Sequence, residues 1–340
     1  MLILGIETSC DETSAAVVKD GNEVLSNIVS SQVEIHSRYG GIVPEVASRQ
    51  HVLEIVPIVK KALKDANVSI GEISALAVTN GPGLAGPLMV GVNFAKSLSY
   101  SLKIPIIPVN HLEGHTYAAW LEYDDPAIDP GFPLIVLIAS GAHTHLVLMS
   151  DHLQYRVLGQ TLDDAVGEAF DKAARILGLG YPGGPAIEKI AKESTTTESM
   201  PRAWLPGTLD FSFSGVKTAL LNRAKALGIY PDQSESRDAN LIPTLASAFQ
   251  EAVVDVISEK AAQACEINGA RGLILGGGVS ANSRLREECR NKSEVPVLVP
   301  APKLCTDNGA MIAAAAFYRY SQGPIERTLD FDAHPSLIMA

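Results

Sequence analysis

The chain has 340 residues, 46% of them apolar and 19% charged, which is long enough for two packed domains. Its formal net charge of −11 excludes a global basic footprint, so a nucleic-acid partner needs a local basic patch or a helper protein. The four cysteines, Cys10, Cys265, Cys289 and Cys305, show no CxxC spacing and fit a reducing compartment; with no positive n-region and no apolar run long enough for a bilayer, the sequence reads as a soluble cytoplasmic protein.

Leu2–Ile6 and Ala15–Val18 read as short apolar strands around the polar turn GIETSCDETS, Gly5–Ser14, and a third strand follows the turn at Asp20–Gly21. A helix is expected from Pro44 to about Asn67, with Val46, Leu53, Val56, Val59 and Leu63 approximating one apolar face. SALAVTNGPGLAGPLMVGVNFAKSLSYSL then reads strand, Gly-Pro loop, helix. The loop lacks the GK[ST] ending of a P-loop and reads as a tight turn with Pro87 near the helix start. IPIIPVNH is the next strand, feeding the helical run VNHLEGHTYAAWLE, Val109–Glu122.

The acidic, proline-containing segment EYDDPAIDPGF marks a domain boundary. After it the order restarts. FPLIVLIASGAHTHLVLMSDHLQYRVLGQ gives three strands, and a largely helical region runs from Asp163 to about Asn268. ARGLILGGGVSANSRLREEC repeats strand, glycine loop, helix; VPVLVP is a strand and NGAMIAAAAFYRY a helix. Three strands followed by alternating helix and strand, twice over, predict a duplicated α/β architecture with a cleft between the halves. The expected divisions are residues 1–125, residues 131–308 with a helical insertion, and a C-terminal helix and tail, 309–340, packing back on the first domain.

His111 and His115 are four residues apart and share one helix face. Such a pair either ligates one metal with a third ligand from elsewhere, or is a solvated or packed pair satisfied by backbone carbonyls. Glu113 lies about 200° around the helix from His111, so it points away from a metal and is a poor general base. The motif is HxEGH, not the zinc-protease HExxH. The third ligand is best sought at Asp307, just before the last helix, where it would face the pair across the cleft; a helix cap is its ordinary role. Two His and one carboxylate suit Fe(II) or Zn(II). Cys305 nearby is read as a small buried residue.

The turns Gly5–Ser14, Ile138–Leu146 and Leu275–Arg286 hold small or hydroxyl residues after strands and can present N–H groups to an anion. Gly276–Gly278 would let a ribose or flat ring approach the backbone. Matching places in two similar halves point to a nucleotide between them. Val166, Phe170, Ala173 and Leu177 form an apolar helix stripe with Asp171 beside it, either solvated or a ligand residue, and the following GYPGGP is a rigid turn.

Eight ordered stretches, GIETSCDETSAAVV, YGGIVPEVASRQH, NGPGLAGPLMVG, NHLEGH, FDKAARILGLGYPGGP, DFSFSGVKTAL, GGGVSANSRLR and CTDNGAMIA, together resemble the bacterial tRNA threonylcarbamoyladenosine transferases, the TsaD/Gcp/Kae1 family. The resemblance spans nearly the whole chain. It implies the duplicated actin/Hsp70/sugar-kinase (ASKHA) fold and transfer of a threonylcarbamoyl group from threonylcarbamoyl-AMP to N6 of an adenosine beside the tRNA anticodon. It makes His111, His115 and Asp307 the ligands of one divalent metal, Fe(II) ahead of Zn(II). Ile138, Ala139, Ser140, Gly141 and Ala142 become a substrate-binding turn, and Asp171, Gly184 and Asn282 contacts for an adenylate or for ATP, ADP or AMP. Two positions depart from the family pattern: Ala142 replaces a Gly, at about 1 kcal/mol or more if φ there is positive, and Glu188 stands where Asp is frequent. Asp11 and Glu12 are candidates to take the amine proton, or turn caps. The implied partners are tRNA, an actin-fold paralogue (TsaB) and a P-loop ATPase (TsaE).

Three rivals remain from the residues alone. A zinc peptidase would use the His pair but lacks a well-aimed Glu. A sugar-kinase-type phosphotransferase would not need the pair, and a nucleotide-dependent scaffold could lose it.

Overall fold

The structure is a computed structural model describing residues 1–122, 130–196, 198–231, 240–323 and 328–339; most of the acidic boundary segment lies outside them. The chain forms two compact units. Unit 1 comprises Met1–Asp129, Asp151–Tyr155 and Pro300–Ala340, and unit 2 comprises Pro130–Ser150 and Arg156–Val299.

Unit 1 opens with an antiparallel meander, β1 (Leu2–Glu7), β2 (Glu12–Lys19) and β3 (Glu23–Ser31). The short helix α1 (Val33–Ser37) and the long α2 (Pro44–Asp65) lead to β4 (Ala75–Gly81), which lies parallel to β1. Helix α3 (Ala85–Leu102) leads to β5 (Ile106–Asn110), parallel to β4, and α4 (His111–Tyr117) follows. The sheet order is β3-β2-β1-β4-β5. Every residue of β4 is buried, as expected of a central strand covered on both faces.

Helix α2 forms where expected, and its expected apolar face is buried only in part, at Val59 and, against the core, Leu63. Ala47, His51, Ile55, Ile58, Val59 and Ala62 are buried, whereas Leu53 is 67% exposed and Val52 and Val56 are also exposed. Apolar residues occupy both sides of this helix, so periodicity could not choose between them. The small Ala47 and Ala62 allow the observed side to lie close to the sheet.

Unit 2 repeats the plan. The strands β6 (Leu134–Ala139), β7 (Thr144–Asp151) and β8 (Gln154–Gln160) are followed by α5 (Val166–Leu177), α6 (Gly183–Ala191), α7 (Ser214–Ala226) and α8 (Leu241–Asn268). Then come β9 (Gly272–Gly276), α9 (Ser283–Lys292) and β10 (Val297–Leu298), giving the order β10-β9-β6-β7-β8. In both sheets the fourth strand adds in parallel beside the first and the fifth in parallel beside the fourth, so the duplication read from the sequence is present in the topology. Among the described residues, α8 alone is long and apolar enough to cross a membrane, and 67% of its most apolar stretch is buried. In α5, the predicted stripe of Val166, Phe170, Ala173 and Leu177 is buried.

The chain then returns to unit 1 through α10 (Pro302–Cys305) and α11 (Gly309–Ser321). Cys305 is buried. Gly309–Ala316 of α11 are all buried. A Cβ on Gly5 of β1 would lie 2.1 Å from the Gly309 carbonyl, so glycine permits helix and strand to meet at backbone distance.

Candidate functional site

Asn110 ends β5 and starts α4, its Oδ1 accepting the Leu112 N–H at 2.9 Å. That cap fixes the helix so that His111 and His115 emerge together, with ring centroids 4.6 Å apart. Every residue of α4 is buried. Gly114 faces α11, where a Cβ would lie 2.7 Å from Ile312 Cδ1, so a larger residue would hold the two helices apart.

The cap of α11 is Asn308, whose Oδ1 accepts the Met311 N–H at 3.0 Å. Asp307 is thereby released from capping and faces the imidazoles. Its Oδ1 lies 3.5 Å from His111 Nε2 and 3.2 Å from His115 Nε2, and one ligand atom from each residue falls within a 4.8 Å cluster. Chain order placed Asp307 in the second half, across a cleft from the pair. It belongs to unit 1 with both histidines, because the chain returns there at Pro300.

These residues fit a small dication. Donors held about 2.0–2.1 Å from one tetrahedral ion stand roughly 3.3 Å apart, close to the separations seen. Both ring nitrogens of His115 are buried without a hydrogen-bond partner, since the approach of Asp307 is not aligned as one. An orphaned buried lone-pair nitrogen is costly unless something accepts the pair, and Nε2, which faces Asp307, is the one placed to bind an ion. Burial opposes charge on His111, yet the Asp307 and Glu7 carboxylates push it up to about 9. Burial holds His115 below its usual range. The centre is electrostatically built for positive charge.

Glu113 turns away, as its helix position predicts. Arg319 of α11 grips it with Nη2 at 2.8 and 2.6 Å from its two oxygens. Burial raises the Glu113 pKa, with Arg319 opposing. Glu113→Gln is therefore expected to keep its metal content while losing on the order of 1–3 kcal/mol of stability, because Arg319 loses a charged acceptor. Metal analysis beside a urea unfolding curve checks this, and metal loss as complete as for a ligand variant would contradict it.

The turn between β1 and β2 carries Asp11, which is buried, and Glu12, which opens β2. Burial and the nearby Asp11 and Asp307 carboxylates push Glu12 well above the usual carboxylate range. A residue not foreseen from the sequence, His51 of α2, braces this turn. The Cys10 carbonyl can only accept, so His51 Nε2 donates to it at 3.0 Å and Nδ1 accepts from Thr13 Oγ1 at 2.8 Å. Glu7 and Thr79 were also missed, although Glu7 stands in the GIETS motif.

The other predicted residues lie in unit 2. Ile138 and Ala139 are fully buried in β6, and Gly141 and Ala142 are exposed in the turn that follows. Ser140 closes that turn: its N–H donates to the His143 carbonyl at 2.8 Å and its Oγ accepts the His143 N–H at 3.1 Å. Ala142 is not in the left-handed region, so the alanine carries no backbone strain. Asp171 Oδ1 accepts the Gly183 N–H at 2.7 Å, fixing the start of α6, while the Cα of Gly184 faces open space. Glu188 Oε1 accepts from Ser283 N at 3.1 Å and from Lys192 Nζ at 2.9 Å, tying α6 to the start of α9. Burial opposes the effect, but these bonds hold Glu188 below the usual range. Asn282 caps α9 through the Leu285 N–H at 3.0 Å and donates to Gln250 at 2.9 Å. Gly277 has φ 88°, and a Cβ there would lie 2.5 Å from the Ala139 carbonyl.

Two repeats of one five-stranded plan define a protein of the duplicated actin-like class, and unit 1 gives it a His-His-Asp centre. In fold the chain is similar to component A of (R)-2-hydroxyglutaryl-CoA dehydratase from Acidaminococcus fermentans, with TM-score 0.56 at 14% identity over 95% of this chain and 100% of that one. Residues 23–314 match the family described as tRNA N6-adenosine threonylcarbamoyltransferase. Relatives of that name are 54% identical in Thermomicrobium roseum, over 99% of this chain and 96% of the relative, and 49% identical in Staphylococcus aureus, over 95% and 93%. The chain belongs to the tRNA N6-adenosine threonylcarbamoyltransferase family.

Proposed function

We propose that the chain transfers the threonylcarbamoyl group of threonylcarbamoyl-AMP to N6 of the adenosine beside the anticodon, in tRNAs reading codons that begin with A. His111, His115 and Asp307 would hold one divalent metal, with Fe(II) preferred to Zn(II). The observation that carries this reading is the convergence of those three side chains around the orphaned nitrogens of His115, in a chain of this family. When bound, the ion supplies Lewis-acid polarisation of the carbamoyl oxygen.

The remaining work falls to the chain's own residues. The acceptor amine is weakly nucleophilic because its lone pair is delocalised into the purine. Asp11 and Glu12, which stand where the turn from β1 enters β2, are the proposed acceptors of the amine proton. The adenylate rests against the Ser140–Ala142 turn, the open side of Gly184 and the Gly276–Gly278 loop. Asp171, Glu188 and Asn282 act by fixing Gly183, Ser283 and the start of α9, since their side chains already serve those backbone positions. No covalent enzyme nucleophile is required, because AMP is a good leaving group. Incubation with threonylcarbamoyl-AMP and unmodified tRNA, followed by nucleoside analysis, tests the reading. Appearance of the threonylcarbamoylated nucleoside supports it, and none in the presence of the family's partner proteins refutes it.

Recognition of tRNA needs partners on this account, and the proposed ones are an actin-fold paralogue and a P-loop ATPase, all in the cytoplasm. The exposed Val52, Leu53 and Val56 of α2 offer an apolar surface suited to a protein partner. Most of the basic side chains that could meet tRNA phosphates are neutralised by acidic neighbours. Arg284 pairs with Glu251 at 2.7 Å and Glu288 at 2.7 Å, Lys292 with Asp255 at 2.6 Å, Arg223 with Glu198 at 2.6 Å, Arg49 with Glu45 at 2.6 Å, and Lys217 with Asp164. Arg286 is spent on the Ser280 carbonyl. Arg38, Lys225 and Arg290 are exposed and offer scattered charge. The isolated chain is thus expected to bind tRNA weakly with a shallow salt dependence, and the assembled complex tightly with a steep one. A salt series with and without partners checks this; tight, steeply salt-dependent binding by the chain alone would contradict it.

A further inference from the structure

One fully buried carboxylate has no part in the chemistry above. Glu7 closes β1 at 0% exposure, and among the described residues its only ion-pair partner is His111. A buried carboxylate needs every lone pair answered. Oε1 of Glu7 accepts the Ser9 N–H, and Oε2 accepts from Thr79 Oγ1 at 2.6 Å and lies 3.0 Å from His111 Nδ1. Thr79 stands on β4, the strand paired in parallel with β1, so the sheet itself holds the carboxylate in place.

We infer that Glu7 is the positioning residue of the metal set: it accepts the Nδ1–H of His111 and so directs the Nε2 lone pair toward the ion. The inference rests on the proposed metal reading. A neutral imidazole carries one N–H, and an ionised carboxylate can only accept, so the proton is fixed on Nδ1. Ser9 Oγ, 3.2 Å from the same Nδ1, can donate or accept and fixes neither tautomer. The nitrogen left free, Nε2, is the one that lies 3.5 Å from Asp307. His115 has no such partner, and both its ring nitrogens are without a hydrogen bond. Glu7 therefore orients one of the two imidazoles, while packing alone orients the other. Its charge has a second effect. Two carboxylates, Glu7 and Asp307, beside two neutral imidazoles balance a dication.

The test uses Glu7→Gln and Zn(II) as the probe, with affinity read by competition against a chromophoric chelator. A Gln can turn its NH2 toward Nδ1 and favour the wrong tautomer. Tenfold to hundredfold weaker zinc binding is expected, in a chain whose circular dichroism matches the wild type. Affinity within twofold of wild type would overturn the inference. A second measurement needs no substitution and so decides the matter even if the variant fails to fold. In zinc-loaded wild-type protein labelled with 15N-histidine, long-range 1H–15N correlations should show His111 with a proton on Nδ1 and zinc on Nε2. Zinc on Nδ1 would overturn it. Wild-type protein that binds no zinc or iron would refute the metal reading itself, which is a separate outcome.

Discussion

His111→Ala and His115→Ala should each yield a folded chain that no longer retains stoichiometric metal and transfers threonylcarbamoyl at least about a thousandfold more slowly. Each removes one of three donors from a centre whose His, Cys, Asp and Glu ligands among the described residues number three. A Lewis acid is worth several kcal/mol of transition-state stabilisation, and 1.4 kcal/mol is about tenfold in rate. The fold should survive, because α4 keeps its Asn110 cap and its contact with α11 at Gly114. Deleting the imidazole of His115 also removes two unsatisfied buried nitrogens. Asp307→Asn should lose less metal, since an amide oxygen is a poorer ligand than a carboxylate but still a ligand. Metal analysis, circular dichroism and nucleoside analysis of the three variants together check this. Near-normal metal in either histidine variant would count against the site.

Gly309→Ala should damage both stability and metal retention. A Cβ at Gly309 would lie 2.7 Å from Ala16 N and 2.8 Å from the Gly5 carbonyl. Both are backbone atoms of strands, so no side chain can swing aside. The Gly309 N–H also donates to Ser14 Oγ at 2.8 Å, a bond that a displaced helix would lose. Overpacking of this kind costs about 1–3 kcal/mol or more. For a chain of this size that corresponds to a Tm lower by roughly 1–4 °C. Asp307 lies two residues before the contact, so displacement of α11 carries the third ligand away from the histidines. Gly141→Ala is the control: nothing lies within 4 Å of the added Cβ, and its Tm and metal content should be unchanged. Equal Tm for Gly309→Ala and wild type would show that the close approach of α11 is not what seats Asp307.

The strands and helices were legible because their signals are local. Alternating apolar runs gave the meanders, and the restart after the acidic segment gave the duplication. The His pair and the orientation of Glu113 followed from helix geometry alone. What was not legible depends on which elements meet. The buried side of α2 is legible only in part, Val59 being buried but Leu53 and Val56 exposed, because Val52, Leu53 and Val56 are as apolar as Ile55 and Ile58, and only the sheet decides between them. Asp307 was assigned across the cleft because chain order says nothing about a helix that returns to the first unit. Glu7, Thr79 and His51 belong to the site through hydrogen bonds spanning 104, 72 and 41 residues, which no periodicity reports. Conversely, Asn282 stands in a predicted loop and Asp171 beside a predicted helix stripe, but their side chains hold backbone.

On the proposed function, transfer occurs only when the His111–His115–Asp307 centre holds a metal. The direct measurement is nucleoside analysis of tRNA after incubation with threonylcarbamoyl-AMP, the partner proteins and this chain, stripped of metal by a chelator and then given Fe(II) or Zn(II). The stripped chain is expected to form almost none of the modified nucleoside, and one equivalent of metal to restore it. Undiminished transfer by a chain shown to carry less than about a tenth of an equivalent of metal would contradict it.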